Sequence, residues 1–233
     1  MSTKQPDCLQ CAMREHSIFA GLSSEDICQL GMDVHDIHVT AGTTIYHESD
    51  PAQYAYTLRQ GGIKLVKSLA NGHAQIVRLL HRGDLFGFEG LRSDQHRHSA
   101  IALTGTDLCR LELRALDALS QRLPAMREAI FARWQQALQE AEDRIVELGA
   151  KKADARLATF LCQWCIAYRQ QRAAPFPLTR RDLGEFLGLS TEHVSRIMAD
   201  FKRQGLLHEH KGQIEIPEPQ KLLRHACSDD TSA

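Results

Sequence analysis

Thirty residues near the C-terminal end, 178–207, constrain the fold more than any other part of the chain. A first predicted helix spans 180–187, has its apolar residues on one face and can be capped by Thr179. A short turn containing Gly188 follows, and a second predicted helix spans 191–204. Two short helices joined by such a turn form a helix-turn-helix pattern. The alternative is an ordinary helical hairpin in a core, but the helix lengths, the turn residue and the division into faces all favour the first interpretation.

The outward face of the second helix carries side chains that can read DNA bases. Arg196 can donate two hydrogen bonds to guanine, Glu192 can accept one from cytosine, and Ser195 can bond to a base or a phosphate. Two arginines at the start of the first helix are placed to contact the DNA backbone. The DNA-binding candidates are Arg180, Arg181, Thr191, Glu192, Ser195 and Arg196.

The distribution of charge agrees with this interpretation. Residues 151–212 hold eleven Lys and Arg against six Asp and Glu, whereas the whole chain has a net charge of −1. A basic segment in a nearly neutral chain is typical of a nucleic-acid-binding part joined to another domain.

The segment between about 37 and 113 contains short runs of alternating residues separated by turn residues. The predicted strands are 43–46, 54–58, 63–66, 75–80 and 99–103. Asn71-Gly72 between two such runs is a hairpin signal. Many short strands at this spacing predict an antiparallel barrel or roll. A further hairpin at 206–216, turning at Lys211-Gly212, is interpreted as a wing after the second helix.

A long helix is predicted between these two parts, over 124–148. Its apolar residues are separated by alternating steps of three and four, which is a heptad seam, and they include Phe131, Trp134, Leu138, Ala141, Ile145 and Leu148. The seam needs a cover, either the β-domain or the same helix of a second subunit. We favour the second subunit, and therefore a homodimer, because the pattern follows a period of 3.5.

Other function classes find little support. The start of the chain does not resemble a signal peptide, and there is no apolar run of about 18 residues, so we expect a soluble cytoplasmic protein with no membrane partner. Hydrophobic residues make up 43%, enough for a packed core. An enzyme is the main alternative class, but no Ser/His/Asp arrangement, P-loop, dinucleotide fingerprint or H-E-x-x-H motif is present.

A strand-rich N-terminal domain, a long helix and a C-terminal winged helix-turn-helix together resemble the Crp/Fnr family of transcription regulators. The fold class expected from this layout is α+β. The second helix contains Glu192-His193-Val194-Ser195-Arg196, which is similar to the E-x-x-S-R signature of the Fnr branch. The resemblance implies an Fnr-type palindrome, TTGAT and ATCAA separated by about four base pairs, and contact with RNA polymerase. The expected parts are a cysteine-bearing segment 1–22, a sensory β-roll 23–122, a dimerisation helix 123–150 and a DNA-binding domain 151–233.

Family members that bind a cyclic nucleotide grip its ribose and phosphate with a G-E-x-x-x turn and a following R-S pair. Here Phe88 stands at the position of the glutamate, and His98-Ser99 replaces the pair. Arg97 is one position away, on the other face of a strand. The phosphate would lose its main counter-charge, so we do not expect a cyclic nucleotide.

The Fnr-type iron–sulfur site resembles C-x2-C-x5-C near the N-terminus together with one distant cysteine. Cys8 and Cys11 match the first two positions, Cys109 matches the distant one, and Ser17 stands at the third. The resemblance implies a [4Fe–4S] cluster that responds to oxygen or nitric oxide. The fourth ligand is left open between Ser17, Cys28 and His16. The alternative is a degenerate site in a regulator that is constitutive or senses haem, its own thiols or another small ligand.

Two further cysteines, Cys162 and Cys165, lie one turn apart on one face of a predicted helix over 153–172. A redox pair usually opens a helix after a strand, and that context is absent from the sequence. We therefore expect these two residues to be buried in the core of the DNA-binding domain. Haem has no ligand spacing among the twelve histidines to support it.

Overall fold

The structure is a computed structural model that describes residues 11, 13–23, 25–26, 34–167 and 174–227 of the 233. Cys8 and Cys28 lie outside the described residues. Two compact units divide the chain, Met1–Ala141 and Glu142–Ala233, and each is described by itself.

The first unit is a β-roll of two antiparallel four-stranded sheets. One sheet contains β1 Val34–Val39, β3 Tyr54–Gln60, β6 Leu85–Phe86 and β8 Thr106–Glu112, in the order β1-β8-β3-β6. The other contains β2 Thr44–Tyr46, β4 Ile63–Ser68, β5 Ala74–Leu80 and β7 Ser99–Ala102, in the order β2-β7-β4-β5. Between them lies a core of buried apolar side chains that includes Ile37 and Leu58 from the first sheet and Leu65 from the second.

All five strands predicted from alternation are present, with shifts of one or two residues at their ends. The hairpin at Asn71-Gly72 is confirmed, with Gly72 at φ +80° in the turn. The strands β1, β6 and β8 were not among the predicted segments. Since β6 has two residues it shows no period, and the burial of β8 does not alternate along its whole length, because Cys109 and Arg110 are both half-buried.

Two helices follow the roll and pack against it. The helix α1 spans Leu113–Arg122 and α2 spans Pro124–Ala150. Leu116, Met126 and Ile130 are buried in a second core cluster together with Phe19 and Leu111. The prediction for α2 was correct at its start and two residues short at its end, whereas α1 was not predicted. The division between the two units falls within α2.

The second unit is a winged helix domain. It contains α3 Ala153–Ala167, α4 Arg180–Leu187, α5 Thr191–Arg203 and α6 Pro219–Cys227. The wing is the hairpin of β10 His208–His210 and β11 Gln213–Glu215, and β9 Ala174–Pro175 adds a third strand beside β11. The predicted helix at 153–172 is observed as far as Ala167, and residues 168–173 lie outside the described part. This α+β architecture confirms the predicted fold class.

Among the described residues, no helix combines the length and the apolar character that crossing a membrane requires.

Candidate DNA-binding surface and sensory site

The helix-turn-helix begins with a capping box. The Thr179 hydroxyl accepts a hydrogen bond from the Asp182 backbone N–H (3.0 Å), and the Asp182 carboxylate accepts one from the Thr179 backbone N–H (2.8 Å). The helix ends at Gly188, which has the left-handed φ of +65° that a helix C-cap favours. A side chain at Gly184 would place its Cβ 2.6 Å from the Leu189 carbonyl oxygen. Glycine at this position therefore allows the turn to pack closely against α4.

The second helix, α5, has a distinct inner face and outer face. Ser190 caps it by accepting a hydrogen bond from the His193 backbone N–H at 3.1 Å. Val194, Met198 and Phe201 are buried against the rest of the domain. This packing fixes the rotation of the helix and thereby decides which residues face outward.

The three predicted base-reading residues lie on that outer face. Glu192, Ser195 and Arg196 are all exposed. The Ser195 hydroxyl donates to the Thr191 carbonyl oxygen at 2.8 Å, which leaves its acceptor lone pairs free for a donor on DNA. Hydrogen bonds from the backbone at the helix start and from Ser190 hold the pKa of Glu192 below its usual value. Within the part of the chain that the structure describes, no ion pair engages Arg196.

Both arginines predicted to contact phosphates are paired with carboxylates. Arg181 is 75% exposed and binds Glu185 on the same helix at 2.8 Å. Arg180 binds Glu209 of the wing at 2.5 Å, and the same carboxylate oxygen accepts a hydrogen bond from Lys202 at 3.2 Å. Each arginine keeps further N–H groups that can donate to a phosphate.

The predicted dimerisation seam is largely uncovered in the single chain. Phe131 is 65% exposed, Leu138 61% and Ile145 70%. Trp134 is 40% exposed because its indole packs edge-on against the Phe88 ring, with 4.9 Å between the ring centroids. Leu148 is half-buried. The β-roll covers Met126 and Ile130 instead, so among the residues that the structure describes a large part of the seam has no cover.

The position that would grip a cyclic nucleotide holds different chemistry. Phe88 is buried, and the ring of His98 faces the Glu89 carboxylate at 3.5 Å and the Tyr46 hydroxyl at 3.0 Å. His96 is 4% exposed and lies 3.3 Å from the same carboxylate. Burial raises the pKa of Glu89, but the hydrogen bond from His96 and the charge of His98 outweigh it and lower that pKa overall. A nucleotide phosphate would meet an ionised carboxylate here, so these residues do not fit the ligand.

A second candidate site lies on the β1-β8-β3 sheet around Cys109. In the antiparallel register Cys109 stands opposite Asp36 on one side and Thr57 on the other. Directly paired residues place their side chains on the same face of a sheet. All three line a small cavity of about 30 Å³. Thr57 is 2% exposed, and its hydroxyl has no hydrogen-bond partner among the described residues; the same holds for one buried oxygen of Asp36.

The N-terminal segment forms the other wall of this cavity. Cys11 and Ser17 line it together with Cys109, so three of the predicted ligand positions meet at one place. The hydrogen bond to Asp36 raises the pKa of Arg59, and the nearby Cys11 and Cys109 sulfurs contribute to the same increase. Both cysteines therefore lie close enough to the Arg59 guanidinium to interact with its charge. Sequence patterns did not single out the residues around the thiols, because only the strand register aligns them.

The fit of an iron–sulfur cluster to these residues is partial. Two of the three predicted thiol ligands, Cys11 and Cys109, line the same cavity, as ligands of one cluster must. Cys8 and Cys28 lie outside the described residues. The Ser17 hydroxyl is already engaged, since it donates to the Arg14 carbonyl oxygen at 2.9 Å and accepts from the Phe19 N–H at 3.2 Å. A cavity volume of about 30 Å³ leaves room for only a few water molecules. A cluster would therefore need more space than this cavity provides.

The prediction that both cysteines of α3 are buried is correct for Cys162 and only partly correct for Cys165. Cys162 is buried, Cys165 is half-buried, and neither forms a disulfide. Burial raises the pKa of the Cys162 thiol to about 11 and also raises that of Cys165. Protonated thiols are poor nucleophiles and poor metal ligands, which supports a packing role.

Comparison with known proteins finds similarity along most of the chain. Residues 155–225 match the Crp-like helix-turn-helix domain, and residues 36–122 match the cyclic nucleotide-binding domain. The nitrogen fixation regulation protein FixK of Bradyrhizobium diazoefficiens is 27% identical over 219 residues, which cover 92% of each chain. The fumarate and nitrate reduction regulatory protein of Vibrio cholerae is 28% identical over 224 residues, which cover 94% of this chain and 90% of the relative. The structure of FixK2 from Bradyrhizobium japonicum superposes with a TM-score of 0.74 at 30% identity, over 81% of this chain and 95% of that one.

Proposed function

Since this chain belongs to the Crp/Fnr family of DNA-binding transcription regulators, and not to a family of enzymes, we propose that it reads an Fnr-type palindrome as a homodimer. Glu192, Ser195 and Arg196 are the base-reading residues of each subunit, and Thr191 and the two arginines 180 and 181 contact the backbone. The observation that carries this proposal is the exposed face of α5, which holds the E-x-x-S-R side chains on a capped helix whose other face is fixed by the core.

The two-fold symmetry of a palindrome requires a two-fold dimer, and the seam of α2 supplies its interface. The proposed seam residues are Phe131, Trp134, Leu138, Ile145 and Leu148. In this proposal residues 1–22 carry the sensory cysteines, 23–122 form the sensory roll, 123–150 the dimerisation helix and 151–233 the DNA-binding domain. The DNA-bound dimer contacts RNA polymerase, as the family resemblance implies.

The DNA assignment is tested by titrating the palindrome and a scrambled duplex of equal length. Arg196→Ala should lower the affinity for the palindrome by about 1–3 kcal/mol and relax the base preference at one position of each half-site. Arg181→Ala should weaken both duplexes to a similar degree and make the salt dependence shallower. Equal binding of the palindrome by wild type and Arg196→Ala would refute the base-reading role.

For the signal, we propose that Cys8, Cys11 and Cys109 hold an oxygen- or nitric-oxide-responsive [4Fe–4S] cluster, with Cys28 or Ser17 as the fourth ligand. The supporting observation is that Cys11 and Cys109, 98 positions apart in the sequence, line one cavity next to the Arg59 guanidinium. A bound cluster supplies redox chemistry that oxygen or nitric oxide can disrupt. The chain itself brings the N-terminal segment to the sheet and places the Arg59 cation near Cys11 and Cys109.

A second candidate is a regulator of the same fold that holds no cluster. The small volume of the cavity and the internal hydrogen bonds of the Ser17 hydroxyl favour it. In this candidate the protein binds DNA constitutively, responds through its thiols, or senses haem or another small ligand.

Iron and acid-labile sulfide content, measured with the visible spectrum on protein purified without oxygen, separates the two candidates. About four irons per chain with a broad absorbance near 400 nm supports the cluster. Cys109→Ser should then abolish the absorbance, whereas Cys165→Ser, in the DNA-binding domain, should leave it unchanged. Colourless, iron-free protein that still binds the palindrome supports the second candidate.

A further inference from the structure

One carboxylate of the wing joins three elements of the DNA-binding domain. Glu209 lies on β10, Arg180 at the start of α4 and Lys202 near the end of α5. A single oxygen of Glu209 accepts from the Arg180 guanidinium at 2.5 Å and from the Lys202 ammonium at 3.2 Å. The two cationic nitrogens therefore lie within about 6 Å of each other.

Two like charges this close repel each other, and an anion between them offsets that repulsion. Burial raises the pKa of Glu209, but the hydrogen bonds and charges of Arg180 and Lys202 outweigh it and lower that pKa overall, so the carboxylate is ionised at neutral pH. The side chains of Glu209 and Arg180 are 27% and 26% exposed, and Lys202 is 43% exposed. Both cations thus remain accessible while the carboxylate restricts their rotamers.

We propose that Glu209 is a positioning residue for DNA binding: it holds Arg180 and Lys202 side by side as one phosphate-binding pair and fixes the wing to the helix-turn-helix. The remaining N–H groups of the two cations bind the DNA backbone beside the half-site. Because the pair is ordered before DNA arrives, binding does not have to immobilise two long side chains. This inference rests on the proposed backbone role of Arg180.

An alternative role for Glu209, competition with the DNA phosphates, predicts the opposite change in DNA affinity. A carboxylate that merely competes with phosphate would repel DNA, and its neutralisation would strengthen binding and steepen the salt dependence. If the carboxylate instead positions the two cations, its neutralisation would weaken binding and make the salt dependence shallower. Glu209→Gln keeps the size of the side chain and removes the charge, so it distinguishes the two roles.

The test measures the affinity for the palindrome at several salt concentrations. Glu209→Gln should weaken binding about tenfold at 0.1 M salt and make the slope of log affinity against log salt shallower by between about one and two. The matched control is Glu218→Gln, which removes an equal charge from the pair with Lys221, a lysine that the proposal does not place on DNA. It should leave binding unchanged or strengthen it. Tighter binding by Glu209→Gln, with a steeper slope, would overturn the proposal.

A second comparison separates positioning from a loss of folding. In the Arg180→Gln, Lys202→Gln background the carboxylate has no cations to hold, so adding Glu209→Gln should no longer weaken binding. An equal loss in both backgrounds would mean that Glu209 acts on the domain as a whole, and would also overturn the proposal. Failure of wild-type protein to prefer the palindrome would instead refute the proposed target site, and binding to any duplex would still report on Glu209.

Discussion

Replacing Leu138 with alanine should weaken the homodimer by an amount that follows from its exposure. The side chain is 61% exposed in a single chain. Complete burial of a leucine contributes about 1.5–3 kcal/mol, so covering the exposed part contributes roughly 1–2 kcal/mol in each subunit. Alanine keeps the Cβ, and a two-fold interface contains the residue twice. The variant should therefore lose about 1.4–2.8 kcal/mol per dimer, a roughly 10- to 100-fold higher dissociation constant.

Sedimentation over a dilution series measures this change, and Val146→Ala is the matched control. Val146 is 62% exposed but falls outside the three-and-four spacing of the seam. Its truncation removes a similar kind of apolar surface from the same helix and should leave the dissociation constant within about twofold. Unchanged dimerisation of Leu138→Ala, or an equal loss in both variants, would show that the seam is not the interface.

Three further predictions concern the stability of the folded chain, each measured by chemical denaturation. Gly184→Ala should lower the free energy of unfolding by about 1–3 kcal/mol, because its Cβ would lie 2.6 Å from the Leu189 carbonyl oxygen. Gly149→Ala, on a helix with open space around it, should not lower the free energy of unfolding. Thr179→Ala should cost about 0.5–2 kcal/mol through loss of the helix cap, and Thr179→Ser should retain most of that stability. Burial lowers the pKa of His98, so the unfolded chain takes up a proton first as the pH falls below 6.5. Stability should then decline by less than about 1.4 kcal/mol per pH unit, and a decline of the same steepness in His98→Asn would contradict this origin.

The cyclic-nucleotide position illustrates how sequence and structure combine. The substitutions at Phe88 and His98 are visible in the sequence and predict the loss of ribose and phosphate contacts. The structure adds that His96 and His98 both face the Glu89 carboxylate. The sequence does not indicate this arrangement, since three polar residues in a turn and a loop have no period that aligns them.

The features that the sequence predicts by itself are those set by short-range interactions. The bounds of α4, the cap at Thr179, the turn at Gly188 and the seam of α2 follow from hydrogen bonds and side-chain spacing within a few turns of helix. The five alternating strands follow from the same kind of short-range pattern, whereas the two-residue β6 is too short to produce one.

The tertiary structure decided which distant residues meet. Cys109 faces Asp36 and Thr57 only because three strands pair in one particular register, and a shift by one residue would turn these side chains to the other face. Arg180 and Glu209 are 29 positions apart, and the fold of the wing onto the helices brings their charges together. Such contacts depend on how elements pack rather than on what each element is, so no local pattern in the sequence contains them.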